Sequence, residues 1–381
     1  MAEFLPYGRQ NVDENDVQAV ADTLRGEYLT TGPAVTRFEE GLKTVSGAQH
    51  AVAVNSGTSA LHAMYFAAGL EAGDEIVTSP LTFAATANAA LYLGATVKFV
   101  DVEPDTGNID ASLVEAAVTD RTRLIVPIDF AGQPADYDAL RAIARSRGIG
   151  IVADAAHSLG ASHNGRPVGT LADASSVSFH PVKPITTAEG GAVLTDDAAL
   201  ARRARLFQTH GITKDAGELL DQDEGPWWYE QHHLGFNYRL TDVQAALGLS
   251  QLRRLQTFID RRRALAALYD RAFAGATDIE VPGRREYSQS GWHLYVIRVR
   301  AAADRRPLFE HLRAAGIGVQ VHYLPVYFHP YYRQLGYQRG LAPAAEVFYN
   351  TAISLPIFPA MTDDDVTRVA ETVLAHFDQR P

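Results

Sequence analysis

The sequence predicts an α/β protein with a mostly parallel sheet in a large domain and a smaller α+β domain at the C-terminus. Apolar runs of strand length alternate with helical stretches, which is typical of a parallel sheet with helices on both faces. The apolar runs cover residues 75–78, 96–100, 124–128 and 149–152, and the helical stretches cover residues 83–92, 111–118 and 136–147. The length of 381 residues exceeds the usual size of one core, which predicts two domains.

We place the domain boundary within a charged helical stretch that covers residues 241–273. The large domain then comprises residues 1–255, including the N-terminal segment, and the small domain comprises residues 256–381. In the small domain the pattern changes to a strand at 293–299, a helix, the segment 318–323 and a final helix at 363–377. This pattern predicts an α+β arrangement.

The segment 51–61 predicts a short strand, a glycine turn and the start of a helix. The turn carries Gly57, Thr58 and Ser59. Backbone N–H groups at a helix N-terminus suit a phosphate, because their partial positive charges converge there. The same groups also occur in an ordinary capped helix, so the segment alone leaves both interpretations open.

Asp154 ends a predicted buried parallel strand, which is the usual place for a functional group in an α/β sheet. A carboxylate at this place can hold a pyridine nitrogen in its protonated form. A pyridine ring whose nitrogen is protonated acts as an electron sink. The alternative is a helix N-cap, which is a common use of aspartate after a strand.

Lys183 lies on a loop between predicted strands at 175–179 and 191–195. A lysine amine condenses with an aldehyde to a Schiff base when its surroundings let it lose a proton near neutral pH. The natural aldehyde for this reaction is pyridoxal phosphate. A solvated loop lysine is the alternative for Lys183 alone. The phosphate turn, the acid and the lysine together predict a pyridoxal-phosphate site.

Segments along almost the whole chain resemble the DegT/DnrJ/EryC1/StrS family of sugar-nucleotide aminotransferases. The segments that carry the resemblance are residues 26–33, 55–58, 154–157, 178–191, 235–239 and 321–325. The resemblance implies the fold-type I architecture of pyridoxal-phosphate-dependent transferases. It also implies a homodimer with shared active sites.

The resemblance implies roles around the ring of the cofactor. Lys183 would form the Schiff base, and Asp154 would pair with the pyridine nitrogen. His157 would approach the phenolic oxygen, although an ordinary buried histidine is the alternative. Phe83 would stack flat against the ring, whereas in most sheets such a residue belongs to the core.

The resemblance also implies which residues bind the phosphate of the cofactor. Gly57, Thr58 and Ser59 would contribute from the glycine turn, and Ser178 would contribute a hydroxyl. Asn237 would contribute its amide from the neighbouring subunit, so the site would be complete only in a dimer.

Further residues match positions that bind substrates in the family. Arg239 would bind the carboxylate of the amino donor through two hydrogen bonds, and a structural salt bridge is the alternative. The positions that would line the sugar-nucleotide pocket are Tyr28, Thr31, His322 and Tyr323.

Composition argues against several other classes of protein. The formal net charge of −11 argues against a surface that binds nucleic acid. Cysteine is absent, which excludes disulfides, thiolate metal sites and a cysteine nucleophile. The first residues do not resemble a signal peptide and no run approaches transmembrane length, so we expect a cytoplasmic protein without a membrane anchor. Glu230, His232 and His233 lack the spacing of metal ligands, so we expect no metal site.

The expected function is amino transfer from glutamate to C4 of a UDP-linked 4-keto-6-deoxy sugar, because residues 179–191 are similar to the sub-group of the family that acts at C4. A 4-keto-arabinose or perosamine-type sugar is one alternative, and a regulatory relative without turnover is another. A dehydratase of the family would carry histidine at position 183. A nicotinamide enzyme would need a G-x-G-x-x-G turn, which residues 55–58 do not match.

Overall fold

The structure is a computed structural model that describes residues 3–221 and 224–378. The strands are β1 (His50–Val54), β2 (Glu75–Thr78), β3 (Thr96–Phe99), β4 (Thr122–Val126), β5 (Gly150–Asp154), β6 (Ser162–His163), β7 (Arg166–Pro167), β8 (Ala174–Ser178), β9 (Gly191–Thr195), β10 (Ile212–Thr213), β11 (Glu230–Gln231), β12 (Ile279–Glu280), β13 (Ser288–Gln289), β14 (Tyr295–Val299) and β15 (Ala352–Leu355).

Four helices begin and end within two residues of the stretches predicted at 83–92, 111–118, 136–147 and 363–377. The helices are α1 (Glu14–Arg25), α2 (Pro33–Ser46), α3 (Gly57–Ala67), α4 (Ala85–Tyr92), α5 (Ala111–Ala117), α6 (Tyr137–Arg147), α7 (Ala198–Gln208), α8 (Asp242–Leu252), α9 (Leu255–Ala272), α10 (Ala302–Ala314), α11 (Pro330–Gln334), α12 (Pro343–Thr351) and α13 (Asp363–Asp378).

A seven-stranded sheet forms the centre of the molecule, with strand order β1-β9-β8-β5-β4-β2-β3. The pairs β2–β3, β2–β4, β4–β5 and β5–β8 are parallel. Strand β9 runs antiparallel to both β1 and β8. The prediction of an α/β protein with a mostly parallel sheet is therefore confirmed.

Helices cover both faces of this sheet, so its strands are buried on both sides. Apolar side chains of β5 show this, because Ile151, Val152 and Ala153 are all buried and contribute to two separate core clusters. One cluster includes the buried face of α3 and the other includes residues of α2 and α6. The sheet is therefore a rigid platform for side chains at its edges.

The C-terminal part of the chain has its own sheet and its own apolar cluster. Strand β14 pairs antiparallel with β12 on one side and with β15 on the other. The cluster packs α10 and α13 against this sheet and also contains Leu5 from the N-terminal segment. This arrangement is α+β in character, and the boundary between residues 255 and 256 stays a prediction.

Two details differ from the sequence prediction. The helical stretch 241–273 is divided into α8 and α9, because Arg253 and Arg254 interrupt it. Arg254 forms ion pairs with Asp13 and Asp16 at the start of α1, so a tertiary contact lies at the break. The segment 318–323 forms only an isolated bridge between Gln320 and Ser354, and β15 supplies the third strand.

Within the described ranges 3–221 and 224–378, we find no helix that is both long and apolar enough to cross a membrane.

Candidate active site

A cavity of about 480 Å³ lies where several strands of the central sheet end, and we call it the site cavity. Strands β1, β5 and β8 end at this edge, and β9 begins there. The register shows this, because Val54 and Ser178 both pair with Gly191, and Asp154 pairs with Ser176. Groups that follow these strands therefore meet at one place, as expected for an α/β sheet.

Most of the residues predicted to contact the cofactor line the site cavity. They are Gly57, Thr58, Phe83, Asp154, His157, Ser178 and Lys183. Of the predicted substrate residues, His322 and Tyr323 also line it. Residues that are distant in sequence are thus brought together by the strand order.

Lys183 approaches the cavity from the loop between β8 and β9. Its backbone N–H donates to the carbonyl of His180 (2.9 Å), which fixes a tight turn below the side chain. Loss of water around the amine lowers the pKa of Lys183 to about 8, and the negative charge of Asp154 opposes this effect. A substantial fraction of the amine is therefore neutral near pH 8 and able to react as a nucleophile.

Asp154 lies at the end of β5 and is buried. Its Oδ2 accepts a hydrogen bond from Thr86 Oγ1 (2.6 Å), and its Oδ1 accepts one from the N–H of Ala156 (3.2 Å). Burial raises the pKa of this carboxyl, whereas these two hydrogen bonds and the charge of Lys183 lower it. A cation placed beside Asp154 would relieve the cost of burying its charge.

The N-terminus of α3 presents backbone donors to the same cavity. Ser56 caps the helix, because its Oγ accepts from the N–H of Ser59 (3.0 Å). The N–H groups of Gly57 and Thr58 have no acceptor among the described residues. Since helix N-terminal N–H groups bind anions, these two are free to bind a phosphate.

Gly57 and Ser178 approach each other closely at this turn. A Cβ atom added at position 57 would lie 2.9 Å from Ser178 Cβ and 3.0 Å from Ser178 Oγ. A side chain at position 57 would therefore displace the serine hydroxyl from the helix N-terminus. This requirement explains why glycine stands here.

Two buried histidines and a partly buried tyrosine form a group on another side of the cavity. His157 Nε2 is hydrogen-bonded to the hydroxyl of Tyr323 (3.1 Å), and the ring centroids of His157 and His293 lie 4.3 Å apart. Burial holds the pKa of both histidines well below the usual value, so both rings are neutral at pH 7. His157 Nδ1 has no hydrogen-bond partner in the described part of the chain.

His322 is positioned by the small sheet. Its Nδ1 is hydrogen-bonded to the hydroxyl of Ser354 on β15 (2.8 Å), and its ring lies 5.6 Å from that of Tyr7. Burial, together with the charge of Lys183, lowers the pKa of His322 to about 3. The ring is therefore a neutral hydrogen-bonding group at the edge of the site cavity.

Phe83 does not belong to the core, because 64% of its surface is exposed while it lines the site cavity. An exposed aromatic ring beside a cavity offers a face for stacking. This geometry removes the alternative in which Phe83 is an ordinary core residue.

The remaining predicted residues lie outside this cavity. Ser59 is buried and engaged in the helix cap, where its hydroxyl donates to Asn55 Oδ1 (2.7 Å). Asn237 and Arg239 lie on an extended segment beside the end of β1, and Arg239 forms no ion pair with a described residue. Tyr28, which is 54% exposed, and Thr31 are surface residues of the loop between α1 and α2.

Several residues at the site were not predicted, and three of them matter for its geometry. Thr86 on α4 donates a hydrogen bond to Asp154, the ring of His293 packs at a tilt against that of His157, and Tyr7 lines the site cavity. No motif marks Thr86 or Tyr7 in the sequence. His293 is the first residue of the strand predicted at 293–299, which was the one available signal.

No group of three or more histidine or acidic side chains in the described ranges is arranged to hold a metal ion. Glu230 and His232 instead pair with each other, with His232 Nε2 and Glu230 Oε2 2.8 Å apart.

The residues of the site cavity fit pyridoxal phosphate. The free N–H groups of Gly57 and Thr58 suit its phosphate, and the buried carboxylate of Asp154 suits its pyridine nitrogen. The amine of Lys183, with its lowered pKa, suits its aldehyde.

Comparisons with known proteins agree with this geometry. The model of the DegT/DnrJ/EryC1/StrS aminotransferase family matches residues 10–374. The chain is 40% identical over 378 residues to the UDP-4-amino-4,6-dideoxy-N-acetyl-beta-L-altrosamine transaminase of Campylobacter jejuni, covering 98% of this chain and 97% of the relative.

Two solved structures are similar over nearly their whole length. One is Helicobacter pylori PseC, an aminotransferase involved in the biosynthesis of pseudoaminic acid, with a TM-score of 0.93, 34% identity and coverage of 99% of this chain and 100% of that chain. The other is the PLP-form of the sugar aminotransferase Spr1654 from Streptococcus pneumoniae, with a TM-score of 0.92, 31% identity and 99% of each chain covered. The protein is thus a pyridoxal-phosphate-dependent enzyme of fold type I, and it belongs to the DegT/DnrJ/EryC1/StrS aminotransferase family.

Proposed function

We propose that this protein transfers an amino group from glutamate to C4 of a 4-keto-6-deoxy sugar nucleotide of the UDP-2-acetamido-2,6-dideoxy-4-hexulose type. Glutamate leaves as 2-oxoglutarate, and the ketone of the sugar becomes an amine. The two substrates use the same site in turn, so the cycle is of the ping-pong type.

The observation that carries the proposal is the placement of Lys183 and Asp154 in one cavity. The amine of Lys183 has a pKa of about 8. The carboxylate of Asp154 is buried, and its negative charge favours the protonated form of that amine. Pyridoxal phosphate, when bound, supplies an electron sink and carries the amino group between the two substrates. Each of the residues around it then has a separate task.

The N-terminus of α3 would bind the phosphate of the cofactor. The N–H groups of Gly57 and Thr58 and the hydroxyl of Ser178 bind the phosphate, and Ser59 closes the helix cap behind them. Asp154 keeps the proton on the pyridine nitrogen. Phe83 would stack on the ring and exclude water from that face.

Lys183 moves the protons of both half-reactions. In the first, its Nζ removes the proton from the α-carbon of glutamate. In the second, it delivers a proton to C4 of the sugar. An amine with a pKa of about 8 suits both directions, because it is neither fully protonated nor fully neutral near that pH.

Side chains at the mouth of the cavity would select the sugar. His322 is neutral and fixed by Ser354, and Tyr323 is fixed by His157, so both offer hydrogen bonds in set directions to sugar hydroxyls or the acetamido group. The choice of a UDP-linked sugar and of C4 is supported by the similarity to the Campylobacter transaminase.

A second copy of the chain would complete the site. Tyr28, Thr31, Asn237 and Arg239 do not line the cavity of their own chain. We place them in the site of a partner subunit, where Asn237 binds the phosphate and Arg239 binds the carboxylate of glutamate. Tyr28 and Thr31 then contact the sugar nucleotide.

Incubation of the enzyme with glutamate and a panel of keto sugar nucleotides tests the proposal. The panel comprises the UDP-linked 4-keto-6-deoxy N-acetyl sugar, UDP-4-keto-arabinose and GDP-4-keto-6-deoxymannose, and mass spectrometry identifies the products. We expect the first substrate to give the highest kcat/KM. Preference for either of the others by tenfold or more would replace the proposed sugar, and absence of amination of all three would contradict the proposed reaction.

A further inference from the structure

Three buried side chains form a hydrogen-bonded chain that ends on Asp154. The hydroxyl oxygens of Thr82 and Thr86 lie 2.6 Å apart, and Thr86 Oγ1 lies 2.6 Å from Asp154 Oδ2. Thr82 lies in the bend before α4 and Thr86 lies in the first turn of α4, and both are buried. The segment between them carries Phe83, which lines the site cavity.

The proton of the Thr86 hydroxyl has two possible acceptors besides Thr82. The carbonyl of Phe83 lies 3.3 Å away and Asp154 Oδ2 lies 2.6 Å away. The shorter contact to a charged acceptor is the stronger one, so Thr86 donates to Asp154 when that carboxyl is ionised. The Thr86 hydroxyl has one proton, and it is used in the hydrogen bond to Asp154. The hydrogen bond between Thr82 and Thr86 therefore uses the proton of Thr82, which makes Thr82 the donor.

The position of Thr86 does not depend on its hydroxyl. The hydroxyl of Tyr65 donates to the carbonyl of Thr86 (3.1 Å), and the N–H of Thr86 donates to the carbonyl of Phe83 (3.2 Å). A valine at position 86 has nearly the same shape and would keep both backbone contacts. The hydroxyl is therefore separable from the packing.

We propose that Thr86 is a positioning residue that keeps Asp154 ionised and directed at the pyridine nitrogen, and that Thr82 fixes the direction in which the Thr86 hydroxyl donates. The inference rests on the proposed role of Asp154. It assigns two linked tasks to residues 82–86, because this segment presents Phe83 to the site cavity and also carries the two hydroxyls of the hydrogen-bonded chain that ends on Asp154.

The electrostatic surroundings of Asp154 explain why such a donor is needed. Burial raises the pKa of Asp154, and the hydrogen bond from Thr86 is the largest effect in the opposite direction, followed by the Ala156 N–H and the charge of Lys183. The other titratable groups that interact with the charge of Asp154 are Asp129, Tyr65, Tyr137 and Tyr323. None of these groups is a cation, so none of them stabilises the ionised form of Asp154 as the hydrogen bond from Thr86 does.

The test compares Thr86→Val with Thr86→Ser in the holoenzyme loaded with pyridoxal phosphate labelled with ¹⁵N in the ring. The ¹⁵N shift reports protonation of the pyridine nitrogen as a function of pH. We expect Thr86→Val to lower the pKa of that nitrogen by about one to two units, as for loss of one charge-assisted hydrogen bond. The same variant should lose about tenfold to a hundredfold in kcat. Thr86→Ser keeps the hydroxyl and should resemble the wild type in both measurements.

An unchanged ¹⁵N titration in Thr86→Val would overturn the inference, and so would an equal loss in Thr86→Ser. If Thr86→Val does not fold, Thr82→Val replaces it and should shift the titration in the same direction by a smaller amount; no shift there also overturns the inference. Asp154→Asn distinguishes a failure of the proposed role of Asp154 from a failure of the role of Thr86. If it leaves the ¹⁵N titration unchanged, the proposed role of Asp154 fails; if it alone changes the titration, only the role of Thr86 fails.

Discussion

Asp154 and Lys183 line the same cavity, and each stabilises the charged form of the other. Asp154 ends β5, whereas Lys183 follows β8, the parallel neighbour of β5. Burial works against both charges, because it raises the pKa of the acid and lowers that of the amine. The site therefore holds an amine that can lose its proton, next to a carboxylate whose ionised form is stabilised by a cationic partner.

The pH dependence of cofactor capture follows from this pair. Only the neutral amine of Lys183 reacts with the aldehyde, so the rate at which pyridoxal phosphate attaches to cofactor-free protein should rise with pH and level off above about 8. Appearance of the yellow absorbance in a stopped-flow instrument measures this rate. In Asp154→Asn the midpoint should move to lower pH, because the charge that raises the pKa of Lys183 is gone. A midpoint near 10.5, the ordinary lysine value, would show that Lys183 is not desolvated.

Loss of the carboxylate charge should be severe for turnover. Asp154→Asn keeps the shape of the side chain but leaves the pyridine nitrogen without an anionic partner. We expect kcat to fall by about two to four orders of magnitude, corresponding to roughly 3–5 kcal/mol for a severed buried charge pair. Steady-state kinetics with a thermal unfolding control would measure the loss. A near-normal kcat in a folded variant would reduce Asp154 to a structural residue.

The close approach of Gly57 to Ser178 predicts a specific effect on cofactor affinity. Gly57→Ala would place its Cβ 2.9 Å from Ser178 Cβ, and strain of this kind costs about 1–3 kcal/mol. We expect the Kd for pyridoxal phosphate, measured by equilibrium dialysis, to rise by roughly tenfold or more. Gly217→Ala is the matched control, because the nearest heavy atom to its added Cβ lies at 3.5 Å. Equal affinities in the two variants would argue against a phosphate site at this turn.

Part of the site was predictable from the sequence, for a physical reason. The acid, the lysine and the glycine turn each lie at the end of a strand, where a local pattern of apolar run and loop identifies them. Thr86 and His293 have no such pattern. Thr86 is 68 residues from Asp154, and their contact depends on how α4 packs on the sheet.

Strand pairing in the small sheet also depends on long-range packing that the sequence does not reveal. The segment 318–323 has apolar residues with the spacing of a strand, yet it makes only the bridge from Gln320 to Ser354. Strand β15 takes the place beside β14, with Ile297 opposite Ile353. Several segments compete for one sheet edge, and long-range packing rather than local preference decides between them.

The shared-site model predicts complementation between two defective chains. Lys183→Ala lacks the reactive amine, and Asn237→Asp would bring a carboxylate against the phosphate of the partner's cofactor. In a mixed dimer one site collects both defects and the other has neither. Exchanging subunits of the two variants should therefore restore about half of the wild-type activity per heterodimer, as expected for a site shared across a two-fold axis.

Subunit exchange itself is checked with two affinity tags, so that heterodimers are isolated and counted. A mixture of Lys183→Ala with a second preparation of Lys183→Ala is the control, and it should stay inactive. Isolated heterodimers with no recovered activity would place Asn237 in the site of its own chain or outside any site.

Transfer of ¹⁵N from labelled glutamate to the sugar tests the proposed reaction itself. The enzyme is incubated with [¹⁵N]glutamate and the UDP-linked 4-keto-6-deoxy N-acetyl sugar, and the product is analysed by mass spectrometry and NMR. We predict that the wild type places ¹⁵N on C4 of the sugar and forms one 2-oxoglutarate per amine, whereas folded Lys183→Ala forms neither. Labelled amine formed by Lys183→Ala at the wild-type rate, or a sugar that the wild type leaves unlabelled while glutamate is consumed, would contradict the account.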